Sequence, residues 1–112
     1  MDMDAQHDDC IIIFITAGSE AEGEKIARGL VEKKVVACVN IIPKIRSIYW
    51  WDGKVCDDEE VLLIAKSRKH LFPAICTTVK ELHSYQVPEV IALSLMDGSK
   101  DYLKWVGDTV TT

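Results

Sequence analysis

Between Ala37 and Ser67 two β-rich runs flank Asp52-Gly53, and this stretch limits the fold more than any other. Asp-Gly favours a two-residue hairpin turn, because both central residues must accept positive φ. The first run carries Val39, Ile41, Ile42, Ile45, Ile48, Tyr49, Trp50 and Trp51, and the second Val55, Val61, Leu62, Leu63 and Ile64. Such residues suit a pleated, half-buried surface. Placing Trp51 opposite Lys54 puts Arg46 opposite Glu59, Ile41 opposite Ile64 and Ile42 opposite Leu63. Pro43 cannot donate to a ladder, so a bulge or an edge is expected there. Each arm of roughly fifteen residues spans about 50 Å, whereas a compact chain of this length is roughly 35 Å across. The apolar tip therefore reaches past its own domain, and packing on another copy of the chain is expected. The alternative is a hairpin bent back on its own core.

The rest of the chain supplies the other elements. Cys10–Ile15, a continuous apolar run, reads as a central strand buried on both faces. Ser19 and Glu22 form a capping box that opens a helix with Ile26, Ala27, Leu30 and Val31 on its apolar face. A second helix opens at His70-Leu71-Phe72-Pro73 and carries Phe72, Ile75, Cys76, Val79 and Leu82 at helical spacing. Residues 89–96 read as a strand, and 100–110 as an amphipathic helix anchored by Tyr102, Leu103, Trp105 and Val106. The order β, α, β, β, α, β predicts an α+β, ferredoxin-like βαββαβ sandwich with an extended β-hairpin and a C-terminal helix. Residues 1–9 are expected to be a disordered acidic tail, with His7 solvated, and residues 10–112 a single domain.

Charge and composition remove several functions. Thirteen Lys and Arg against eighteen Asp and Glu leave a net charge of −5, unfavourable for a nucleic-acid partner. No apolar run approaches a membrane span. The acidic N-terminus lacks the basic-then-apolar order of a signal peptide, so a cytoplasmic location is expected. Cys10, Cys38, Cys56 and Cys76 form no C-x-x-C pair, and Cys38 and Cys76 read as small buried hydrophobes. There is no G-x-S-x-G and no Gly-rich phosphate loop, so an enzyme is not expected.

Taken together, Ala37-Cys38-Val39-Asn40-Ile41-Ile42-Pro43, Ser47-Ile48-Tyr49, Trp51-Asp52-Gly53-Lys54, Glu60-Val61, Lys66, His83, Tyr85, Pro88-Glu89 and Tyr102-Leu103-Lys104-Trp105 resemble the CutA family of divalent-cation tolerance proteins. The resemblance implies a homotrimer built by exchange of strand edges and a role in tolerance of Cu2+ and other divalent ions, with no obligatory cofactor. It also implies a cysteine just before Thr-Ala in members of the bacterial type, where this chain has Ile15, and a His-Pro-Tyr where it has His83-Ser84-Tyr85.

The candidate site residues follow. His83, with Glu60 and Glu89, is the candidate metal set; against it stands a histidine hydrogen-bonded at a subunit interface. Lys66, Tyr85, Tyr49, Trp51 and Trp105 are candidates for a ligand cleft, although a pair with Glu60 is the plainer reading of Lys66, and structural use at interfaces is the plainer reading of Tyr85 and Trp105. Two other functions are compatible with the residues. One is a trimeric module resembling PII proteins that binds a small anionic metabolite through Lys66. The other is a structural partner of another protein.

Overall fold

The computed structural model describes residues 9–111. Strand β1 (Cys10–Ala17) is followed by α1 (Glu20–Glu32), β2 (Cys38–Trp51), β3 (Lys54–Arg68) and a 3-10 turn (Lys69–Leu71). Then come α2 (Phe72–Leu82), β4 (Val90–Ser94) and α3 (Lys100–Thr109). The antiparallel sheet has the order β2-β3-β1-β4, the ferredoxin-like arrangement expected. As its unbroken apolar run requires, β1 is central, paired with β3 on one side and β4 on the other.

One sheet face is packed by α1 and α2. Ile13 and Ile15 of β1 and Leu63 and Ala65 of β3 are fully buried there, in one core with Ile26, Leu30, Ile75 and Val79. Ser19 caps α1 by accepting the Glu22 N–H at 3.1 Å, as the sequence predicts. Val31, expected on the buried face, is exposed; Gly23, Ile26, Ala27 and Leu30 suffice to fill it.

The opposite face is only partly covered. At one end α3 crosses it: the Tyr102 hydroxyl lies 3.4 Å from Cys38 Sγ, and Leu103 and Val106 are buried. Tyr102 and Trp105, expected as anchors, are exposed and tilt against each other with ring centroids 5.6 Å apart. Cys38 and Cys76 are half-buried, and the fully buried cysteine is Cys10. Further along the face, Ile42, Ile91 and Leu93 lie open to solvent.

The ribbon of β2 and β3 is long, as its sequence implies, and the molecule measures 51 × 25 × 22 Å. Trp51 pairs with Lys54, and Arg46 with Glu59. Beyond Pro43 the expected register is corrected by one: Ile42 pairs with Leu62 and Ile41 with Leu63. A bulge sets two β2 residues, Pro43 and Lys44, against Val61. Arg46 ion-pairs diagonally with Asp57 at 2.6 Å, while Lys44 takes Glu59 at 3.2 Å. Asp52 (φ 52°) and Gly53 (φ 76°) both adopt the left-handed region, as the tight turn demands.

Asp9, assigned to a disordered tail from sequence, is held: its carboxylate accepts from Arg68 at 2.7 Å and its carbonyl from the Lys69 N–H at 2.6 Å. His7 lies outside the described residues.

Candidate functional site

Where the outer half of the ribbon meets the loop after α2, a cleft of about 710 Å³ opens. The ribbon gives Ser47, Ile48, Tyr49, Trp51 and Glu60; β1 gives Thr16; the loop gives Tyr85, Gln86, Val87 and Glu89. No Lys or Arg is among these lining residues.

The loop is held by a short chain of hydrogen bonds. The side chain of His83 is wholly buried. Its Nδ1 accepts the Tyr85 N–H at 3.0 Å, which assigns the ring hydrogen to Nε2, and Nε2 donates to the Thr16 carbonyl at 2.7 Å. Glu22, the capping-box acid, fastens the same loop from α1. Its carboxylate accepts from the Ser84 N–H at 2.9 Å and from the Gly18 N–H at 3.3 Å. Burial pushes the Glu22 carboxyl up, but the hydrogen bonds from Ser84 and Gly18, with His83 nearby, outweigh it and hold it below the usual carboxylate range.

So placed, Tyr85 reaches across to β3, where its hydroxyl donates to Glu60 Oε2 at 2.8 Å. Burial and this bond together push the Tyr85 phenol up. Tyr85 also lies over Gly18, where an added Cβ would come within 3.2 Å of its hydroxyl. On the far wall the Tyr49 hydroxyl donates to Asp58 at 2.5 Å, which pushes the phenol up to about 12. Both phenols are neutral donors to carboxylates near neutral pH.

Glu60 is 7% exposed, and no basic side chain ion-pairs with it among the described residues. The expected Lys66–Glu60 pair does not form. Lys66 donates instead to Asn40 Oδ1 across the ladder and lies outside the cleft lining. Trp105 is also outside the lining, on α3 beside Tyr102. The candidate metal set is thus divided: Glu60 and Glu89 line the cleft, whereas both His83 nitrogens are occupied by backbone groups. Among the described residues no three His, Cys, Asp or Glu side chains converge as a metal cluster. Ile15, at the position where the resemblance implies a cysteine, is fully buried in the helix-covered core. Sequence reasoning missed Glu22, Thr16 and Asp58. Glu22 alone carried a signal, its capping-box position, and that signal pointed to its own helix.

The family model described as CutA1 divalent ion tolerance protein matches residues 11–109. The chain belongs to the CutA1 family. It is 45% identical over 95 residues to a divalent-cation tolerance protein CutA from Thermus thermophilus, covering 85% of this chain and 92% of that one. It is also 45% identical over 96 residues to the chloroplastic CutA 1 of Oryza sativa, covering 86% of this chain and 54% of the relative. The chain thus spans about half the length of that plant relative. The crystal structure of CutA1 from Oryza sativa superposes with a TM-score of 0.90 at 40% identity, covering 95% of this chain and 97% of that one. Among the described residues no helix is long and apolar enough to cross a membrane.

Proposed function

We propose that this CutA1-family chain acts in divalent-cation tolerance as a homotrimer, without enzymatic turnover, and holds Cu2+ or another divalent ion weakly through Glu60 and Glu89. The observation that carries the metal reading is Glu60, a buried carboxylate that no basic side chain among the described residues ion-pairs with. An uncompensated buried charge is costly, and a cation at the cleft would offset that cost. Two carboxylates without an imidazole or thiolate make a weak site, because tight divalent sites usually need three or four converging ligands.

Assembly is supported by the apolar surface left over. Ile42, Ile91 and Leu93 on the open sheet face, with Trp50 and Val55 at the tip, are all exposed in the single chain. Burial of such a side chain is worth about 1.5–3 kcal/mol, enough in sum to drive self-association. The PII-like alternative has less support, since an anionic metabolite would meet Glu60 and Glu89 with no Lys or Arg in the lining.

Calorimetric titration with Cu2+ and Zn2+, on protein whose mass is checked by sedimentation, tests the proposal. Weak binding lost in Glu60→Gln and kept in His83→Ala is expected. Binding indifferent to Glu60, or a chain that sediments as a 12.6 kDa monomer, would overturn it.

A further inference from the structure

The cleft has a second character that a bare metal ion does not use. Beside its two carboxylates it is walled by three aromatic side chains, Tyr49, Trp51 and Tyr85. Its volume of about 710 Å³ is far larger than an ion needs and within the range of small-molecule sites. We propose that the cleft binds a small organic ammonium ion carrying an apolar body, its charge held by Glu60 and its body against the aromatic walls.

Three features of the structure carry this. First, the sign of charge is fixed: the lining holds Glu60 and Glu89 and no Lys or Arg. Second, Glu60 is poised to accept. Tyr85 occupies Oε2, and among the described residues no donor is bound to Oε1. A protonated amine supplies both the missing donor and the missing charge, which desolvates at less cost as a pair than either does alone. Third, the rings suit a cation. Tyr49 and Tyr85 each donate their hydroxyl to a carboxylate, Asp58 and Glu60 respectively. These bonds commit both hydroxyls, so the two rings enter the lining as neutral aromatic surface, to which cations are attracted. Trp51, half exposed at the cleft rim, adds the ring type that binds cations best.

The inference rests on the reading of this cleft as the ligand site, but it is separable from the metal proposal. The test is calorimetric titration of the assembled protein with phenethylammonium, with 2-phenylethanol as the neutral analogue and phenylacetate as the anionic one. Phenethylammonium is expected to bind about tenfold or more tighter than the alcohol, and phenylacetate not to bind. In Glu60→Gln the preference of amine over alcohol should collapse. Trp51→Ala, at a partly exposed position, should weaken the amine about threefold. Because the Glu60→Gln readout is a ratio, a general loosening of the cleft would lower both ligands and leave the preference intact, which would overturn the role given to Glu60. Equal binding of amine and alcohol, or none of either because a neighbouring subunit fills the cleft, would overturn the inference. Cu2+ titrated in parallel separates the two proposals. Copper binding without amine binding leaves the metal reading standing alone, and amine binding without copper binding leaves this one.

Discussion

Replacing His83 by alanine distinguishes a loop latch from a metal ligand. In the structure the ring is wholly buried and links two backbone groups from distant parts of the chain, the Thr16 carbonyl and the Tyr85 N–H. Removing it orphans both, at about 1–3 kcal/mol each. The lost packing of the ring adds to this, while some rehydration of the loop offsets it. The expected net loss is about 3 kcal/mol. It should appear with chelator present, since no metal is involved in either bond. The assay is guanidinium unfolding of wild type and variant at matched protomer concentration, because assembly makes apparent stability depend on concentration. Amide exchange at Tyr85 provides a local readout, with faster exchange expected once its acceptor is gone. A loss below about 1 kcal/mol with chelator, or a loss that appears only when divalent metal is added, would refute the latch argument.

Other perturbations address neighbouring features. Glu22 titrates below the ordinary carboxylate value because hydrogen bonds from Ser84 and Gly18 outweigh its burial. Its contribution is therefore fully present above the unfolded value of about 4.3 and is lost as pH falls through the lower folded value. Glu22→Gln should flatten the acid limb of a stability–pH curve, and parallel curves for the two proteins would contradict this. Gly53, at φ 76° with nothing near its missing Cβ, is constrained by backbone alone. Gly53→Ala should cost about 1 kcal/mol in unfolding measurements, and an unchanged midpoint would show that the turn relaxes freely.

Much of this architecture is legible in the residue order because its determinants are local. The unbroken run Cys10–Ile15 specifies a central strand, Asp52-Gly53 specifies the turn, and the pairing of Arg46 with Glu59 follows from that turn. The ladder was readable as far as Pro43 and no further, since a proline announces an interruption without saying how many residues it absorbs. The site was less legible for a different reason. Glu22 and Ser84 are 62 positions apart, and His83 and Thr16 are 67. Nothing in the local pattern around His83 shows that both its nitrogens are committed to backbone. Lys66 was misassigned to Glu60 because sequence spacing does not reveal that Asn40 stands diagonally across the ladder, two rungs away.

The bulge at Pro43-Lys44 has a consequence for the parity of the ribbon. On β2, the even positions Cys38, Asn40 and Ile42 share a side with Leu62, Ile64 and Lys66. Past the bulge, the odd positions Ile45, Ser47, Tyr49 and Trp51 take over that same side, opposite Glu60, Asp58, Cys56 and Lys54. A strand that kept strict alternation would have turned Tyr49 and Trp51 to the reverse of the ribbon and set Lys44 opposite Glu60. The half-step therefore acts as a phase corrector: it lets one strand serve the subunit's open sheet at its base and the cleft at its far end.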